Sequence, residues 1–211
     1  DNETTGSRDN VHPRSNYFCG SINEISDLEE IFSKDIDAVF HVAGQGSLIN
    51  SYVSPLHDLR TNVEGTINII NMCIKYKISR LLYASSMTVY SDQETIPIIE
   101  EAPCKPFSYY GITKYAAERY IHNTANRTDL DFQLNPTSFR MFNVYGPRQV
   151  LDNPYQGVLG IFIGNVLRND PITIYGDGDQ TRDFIFISDI VEAWINTLEK
   201  TQTYGQVINL G

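Results

Sequence analysis

Short apolar runs alternate along the chain with stretches in which apolar residues recur every three or four positions. The runs at 17–22, 38–42, 81–84 and 137–142 read as strands. Ser26-Asp27-Leu28-Glu29 has the form of a capping box opening a short helix to about Phe32. A long amphipathic helix is predicted from Pro55, with Leu59, Val63, Ile67, Ile70 and Ile74 on one face. A further helix is expected over 109–123. Strand and helix in turn are the signature of βαβ units, so the pattern predicts an α/β fold with a mostly parallel, doubly wound sheet. After Asn143 the pattern loosens. A helix is expected over 157–167, short strands over 172–175, 183–187 and 207–210, and a helix to about Leu198 opened by Asp189-Ile190-Val191-Glu192. Residues 2–16 are polar and read as a loop, and Gly176-Asp177-Gly178 reads as a turn.

At 211 residues the chain is long enough for one domain with a small lobe. The net charge of −10 argues against a general nucleic-acid or anionic-membrane surface, which needs clustered positive charge. A phosphorylated ligand would need a local exception, for which Arg140, Arg148 and Arg182 are candidates. Cys19, Cys73 and Cys104 are odd in number and too widely spaced for a zinc or redox motif, which fits a reducing cytoplasm. The four histidines have no metal-ligand spacing, so no structural metal is expected. No run approaches the roughly 18 apolar residues of a membrane helix, and the N-terminal residues lack signal-peptide character.

The candidate chemistry lies at Tyr110 and Lys114, four residues apart, and at Ser86 in Ala84-Ser85-Ser86-Met87. Positions i and i+4 share a helix face, so an ammonium can lie beside the phenol and favour its ionised form. With 13 tyrosines in the chain, about 0.4 such Tyr/Lys pairs are expected by chance, so the pair means little alone. Its context adds weight: Ser85 and Ser86 stand at the carboxyl end of a strand-like run, where open α/β sheets bind ligands.

The whole chain resembles the extended short-chain dehydrogenase/reductases, in their NAD-dependent sugar-nucleotide epimerase/dehydratase branch. The residues that carry the resemblance are Asp1-Asn2, His41-Val42-Ala43-Gly44, Thr61-Asn62-Val63-Glu64-Gly65-Thr66, the Ser86 segment, 110–114, 140–148 and 174–184. It implies a Rossmann-like fold, with 1–142 as a partial NAD-binding domain. Residues 143–211 would be mainly a substrate-binding lobe, of which 183–200 return to the first domain. Tyr110 is then the proton acceptor and donor. Lys114 lowers its pKa and holds the nicotinamide ribose, and Ser86 binds the reacting oxygen. The cofactor would meet Asp1 and Asn2 at the adenosine ribose, Ser21 and Ile22 at the adenine, and Val42, Ala43, Gly44, Asn62, Ser85 and Phe142 elsewhere. Asn143, Tyr175 and Arg182, with Ser86 and Tyr110, would meet the substrate.

Met87-Thr88 stands where dehydratases of the branch carry an Asp-Glu pair, and the Glu of decarboxylase relatives is missing too. What remains is 4-epimerisation of a UDP-hexose through a transient 4-keto sugar. A keto-sugar reductase, a dehydratase of the same family and a non-catalytic remnant stay open as alternatives. The resemblance starts after the first strand and its Gly-rich loop and stops short of the full substrate lobe. The chain therefore reads as truncated at both ends, and 1–211 alone are expected neither to bind NAD nor to fold fully. The intact protein is expected to be a cytoplasmic homodimer joined through the helix after Pro55 and the catalytic helix.

Overall fold

The computed structural model describes residues 1–93, 95–151 and 157–211. Among these, six strands form: β1 (Ala38–His41), β2 (Arg80–Ser86), β3 (Asn135–Met141), β4 (Asn143–Tyr145), β5 (Phe184–Phe186) and β6 (Gln206–Leu210). The main sheet runs β1-β2-β3-β6 with every pair parallel, and β4 and β5 form a separate parallel pair. The helices are α1 (Ile25–Phe32), α2 (Leu48–Val53), α3 (Pro55–Leu59), α4 (Gly65–Tyr76), α5 (Tyr109–Ala125), α6 (Val158–Arg168) and α7 (Ile187–Thr197). This is the α/β, Rossmann-like parallel sheet that the alternation predicts.

Strand β2 is buried along its whole length because helices cover both faces of the sheet. Its side chains alternate accordingly. Leu81 and Tyr83 pack with Leu28, Phe32, Ile69, Ile70, Cys73, Ala117 and Ile121 of α1, α4 and α5. Leu82 and Ala84 face the other way, joining Phe139 and the Ile190 and Trp194 side chains of α7. Strand β6, beyond the 183–200 segment expected to return to the first domain, pairs with β3 in the same sheet. β1 is an edge strand, with Phe40 43% exposed and stacked on Trp194.

Several boundaries differ from the sequence reading. Residues 17–22 form no strand: beside the run lies the backbone of Asp1, whose amino group donates to Phe18 O while Gly20 N donates to Asp1 O. One such pairing does not make a ladder. Residues 172–175 also lie outside any strand, with Ile174 and Tyr175 in solvent. Ser26 and Asp189 are not N-caps. Helix α1 starts at Ile25 and Asp27 turns back to accept from Ser21 N (2.9 Å), while α7 starts at Ile187 and takes Asp189 into its first turn. Helix α2 has no counterpart in the sequence reading.

The helix expected from Pro55 is three pieces: α3, a π-helical turn over Arg60–Glu64, and α4. Of the expected stripe, Ile70 is buried and Ile74 packs against the core, whereas Val63 and Ile67 are only partly buried. Asp58, Asn62, Thr66, Ile69, Ile70 and Cys73 point inward, and Leu59 is half exposed. The π turn admits one extra residue per turn and so rotates the helix, and a buried polar cluster sets the phase instead of the longer apolar side chains.

Candidate active site

Helix α5 begins beside the carboxyl end of β2. Ser108 caps it, its hydroxyl accepting from Gly111 N at 3.0 Å. The first turn lies against the segment after Ser86 so closely that a Cβ on Gly111 would stand 2.6 Å from Thr88 O. Only glycine permits that approach. It brings Ser86 next to Tyr110.

Ser86 Oγ accepts from both Thr88 N (3.3 Å) and Thr88 Oγ1 (3.0 Å). With its lone pairs so used, its own proton is free to be donated into the site. Burial raises the Tyr110 pKa above its ordinary value, and the neighbouring Ser86 hydroxyl works in the opposite direction. Lys114 stands one turn further along the same helix, its ammonium 4.5 Å from the ring centroid of Tyr83. Burial pulls the Lys114 pKa down to about 8, against the opposing charges of Asp58 and Glu118. Among the described residues it has no ion-pair partner within 4 Å.

Gly44 forms the opposite wall. A Cβ there would lie 2.9 Å from Asn62 Oδ1 and 3.8 Å from Lys114 Nζ, so the small residue keeps the space above the catalytic helix open. Val42, Ala43 and Gly44 are exposed on that side. Asn62, buried in the π turn, clamps the following residue from both sides: Gln45 N donates to its Oδ1 (2.8 Å) and its Nδ2 donates to Gln45 O (3.1 Å). The Lys114 ammonium and the exposed backbone of 42–44 meet at Gly44, a donor set that suits the nicotinamide end of a dinucleotide.

The other expected residues are placed variously. Ser85 gives its hydroxyl proton to Glu118 Oε2 (2.7 Å). Asp1 is exposed, and its carboxylate accepts from Glu3 N (2.6 Å); the Asn2 carboxamide accepts from Thr4. Ser21 and Ile22 lie in the loop before α1, where Ile22 O accepts from Asn68 (3.0 Å). Phe142 N donates to Leu210 O (2.9 Å) at the end of the sheet. Asn143 donates to Asp183 O (2.8 Å), its Nδ2 3.9 Å from Met87 Sδ. Tyr175 and Arg182 are exposed, and the guanidinium reaches only Thr181 O. Arg148, another of the three phosphate candidates, reaches Asn10 O (3.4 Å) from an exposed position. Arg140 is not available to a phosphate, being buried against Glu118 with Nη2 to Oε1 at 2.6 Å.

Sequence reasoning missed the supporting residues Asp58, His41, Tyr83, Thr88, Thr113 and Glu118. A signal for two of them was present: Asp58, Asn62 and Thr66, like Tyr110, Lys114 and Glu118, recur every four residues, a polar stripe on a helix face. His41 is buried, its Nε2 2.9 Å from Thr66 Oγ1, and burial followed by the Lys114 charge pulls its pKa down to about 3. It is neutral.

Comparison with known proteins agrees with this geometry. The family model described as "NAD dependent epimerase/dehydratase family" matches residues 1–211. A putative UDP-glucose 4-epimerase of Methanocaldococcus jannaschii is 36% identical over all of this chain and 67% of its own. UDP-glucuronic acid decarboxylase 2 of Arabidopsis thaliana is 32% identical over 94% of this chain and 44% of its own. Among solved structures, a UDP-glucose 4-epimerase from Thermotoga maritima with UDP-glucose superposes with a TM-score of 0.93 at 32% identity, covering 100% of this chain and 67% of that one. The chain thus spans about two-thirds of the archaeal relative and under half of the plant one. The chain belongs to the NAD-dependent epimerase/dehydratase family, whose cofactor is NAD.

Proposed function

We propose that the whole protein is a UDP-hexose 4-epimerase working through a transient 4-keto sugar. The observation that carries this reading is the composition of the site around Ser86. Positions 87 and 88 are Met and Thr, with Thr88 spent on Ser86 and Met87 beside Asn143, so neither supplies the acid and base that a lyase step needs. Bound NAD would supply the hydride acceptor and donor. Tyr110 would hold the proton of the sugar's 4-hydroxyl and return it, while the free proton of Ser86 donates to the same oxygen. Lys114, on the same helix face, would hold the nicotinamide ribose, with Asn62 and Gly44 fixing the wall beside it. Asn143, Tyr175 and Arg182 are proposed for the sugar nucleotide, whose diphosphate suits the exposed guanidinium fork. Likeness to both epimerases and decarboxylases leaves the family level common to the two, and the residues at 87 and 88 favour the epimerase.

The test is Tyr110→Phe in the full-length protein. It should abolish interconversion of UDP-glucose and UDP-galactose while NAD stays bound; losing NAD as well would contradict the role. Release of carbon dioxide from UDP-glucuronic acid by the unaltered protein would overturn the epimerase assignment.

A homodimer is part of the same proposal. Tyr52, Val53, Leu56 and Leu59 of α2 and α3 and Tyr109 and Ile112 of α5 are all exposed apolar or aromatic side chains, and Tyr52 packs on Tyr109 with ring centroids 5.1 Å apart. Sedimentation of the full-length protein as a monomer at micromolar concentration would count against it.

A further inference from the structure

Asp58 is a carboxylate with no exposed surface, and the catalytic roles proposed above do not use it. Its hydrogen bonds all come from neutral groups: Gln45 Nε2 (2.6 Å) and Asn62 Nδ2 (3.1 Å) on Oδ1, and Thr113 Oγ1 (2.6 Å) on Oδ2. Among the described residues no cation lies within 4 Å of it. A buried charge so placed is costly unless an opposite charge offsets it nearby. Lys114 presents the reciprocal problem one residue beyond Thr113: a buried ammonium without a direct partner, close to the same Asn62 that bonds Asp58.

We propose that Asp58 is the counter-charge of Lys114, a positioning residue that keeps the ammonium protonated and, through Thr113 and Asn62, holds the catalytic helix against the Gly44 loop. The two charges make no direct contact: Asp58 is bonded by Thr113 and Asn62, and Lys114 is the next residue after Thr113 on α5. This leaves every N–H of the ammonium free for a ligand while its charge is still balanced. The role rests on the proposed use of Lys114 in the reaction, yet its test does not need turnover.

The groups facing Lys114 are Asp58 from α3, Glu118 from its own helix, Tyr83 from β2 and the neutral His41 from β1. Glu118 is already committed to Arg140. Removing the Asp58 charge therefore leaves the ammonium without an uncommitted counter-ion.

The experiment is a titration of the Lys114 side chain by 13C NMR in the full-length protein with 13C-labelled lysine, the signal assigned by its loss in Lys114→Met. In Asp58→Asn, nearly isosteric, the Lys114 titration should move to lower pH by roughly one unit or more. In Thr113→Val, which removes the hydroxyl but keeps the charge, it should move less than half as far. An Asp58→Asn protein whose Lys114 titrates as in the unaltered one overturns the proposal, and so does a Thr113→Val shift as large as that of Asp58→Asn. Should Asp58→Asn not fold, Lys114→Met decides. Asp58 is then buried without its counter-charge, so folding is penalised wherever it is ionised, and the unfolding midpoint should fall further behind the unaltered protein's as pH rises from about 4 to 7. Parallel profiles over that range overturn the proposal. Loss of epimerase activity plays no part in either outcome, so failure of the functional reading leaves this one testable.

Discussion

Replacing Glu118 by Gln would break the most enclosed ion pair among the described residues. The side chains of Arg140 and Glu118 are 6% and 2% exposed, and the carboxylate accepts from Arg140 Nη2 at 2.6 Å, Arg140 Nε at 3.1 Å and Ser85 Oγ at 2.7 Å. Burial works against the guanidinium charge, and the Glu118 carboxylate more than offsets it, holding Arg140 above its ordinary value. An amide in the same place keeps the shape and one acceptor but not the charge. Removing one partner of such a pair costs about 3–5 kcal/mol, because the other stays buried and uncompensated. At about 2–4 °C per kcal/mol for a protein of this size, the melting temperature should fall by roughly 6–20 °C. The assay is a double-mutant cycle by chemical denaturation of the full-length protein, with Glu118→Gln, Arg140→Met and the two combined. The combined variant removes both charges and should lose far less than the sum. If the single losses add within about 0.5 kcal/mol, or Glu118→Gln costs under about 1 kcal/mol, the pair is not the linchpin its geometry implies.

Two other outcomes follow from the site. Ser86→Ala should lower turnover by about 10² to 10³ through the loss of one donor to the reacting oxygen, and an unchanged rate would move that role elsewhere. His41 has its folded pKa near 3, below the unfolded value of about 6.5. The unfolded chain therefore takes up the proton first: stability is whole above pH 6.5 and is lost as pH falls toward 3, by up to about 1.4 kcal/mol per unit. His122, also lowered by burial, acts with the same sign, whereas Lys114 titrates too high to contribute there. His41→Gln should flatten the slope between pH 6 and 4 in urea midpoints, and superimposable slopes would exonerate the ring.

The strands that lie deepest were the most legible. β2 and β3 are flanked on both sides, and the runs read at 81–84 and 137–142 fall on them, although β3 buries Thr137, Ser138 and Arg140 as well as Phe139. The runs at 17–22 and 172–175 have the same composition but no backbone ladder beside them, and periodicity says nothing of a neighbour's presence. The helix after Pro55 was legible in phase at its second half, where Ile70 and Ile74 meet the core, but not at its first, because Asp58 and Asn62 occupy buried positions that amphipathic reasoning reserves for apolar residues. In the site, the candidate groups at Ser86, Tyr110 and Lys114 follow from the family pattern, the Tyr/Lys spacing being weak alone. Their supports do not: Thr88 contacts Ser86 through a local turn, whereas Asp58 and Thr113 are 55 positions apart in sequence and meet only in the fold. The second polar row, at Tyr110, Lys114 and Glu118, could have been read, since a carboxylate one turn beyond a buried lysine has few reasons to be there except another buried charge.

The contact between Gly111 and the Thr88 carbonyl makes the distance from serine to tyrosine a property of the main chain. The Thr88 side chain is tied to the same serine, its Oγ1 3.0 Å from Ser86 Oγ, so position 88 acts on that seam through both its carbonyl and its hydroxyl. Any residue larger than glycine at 111 would wedge the helix from the strand and shift Tyr110 away from Ser86 and Thr88 together.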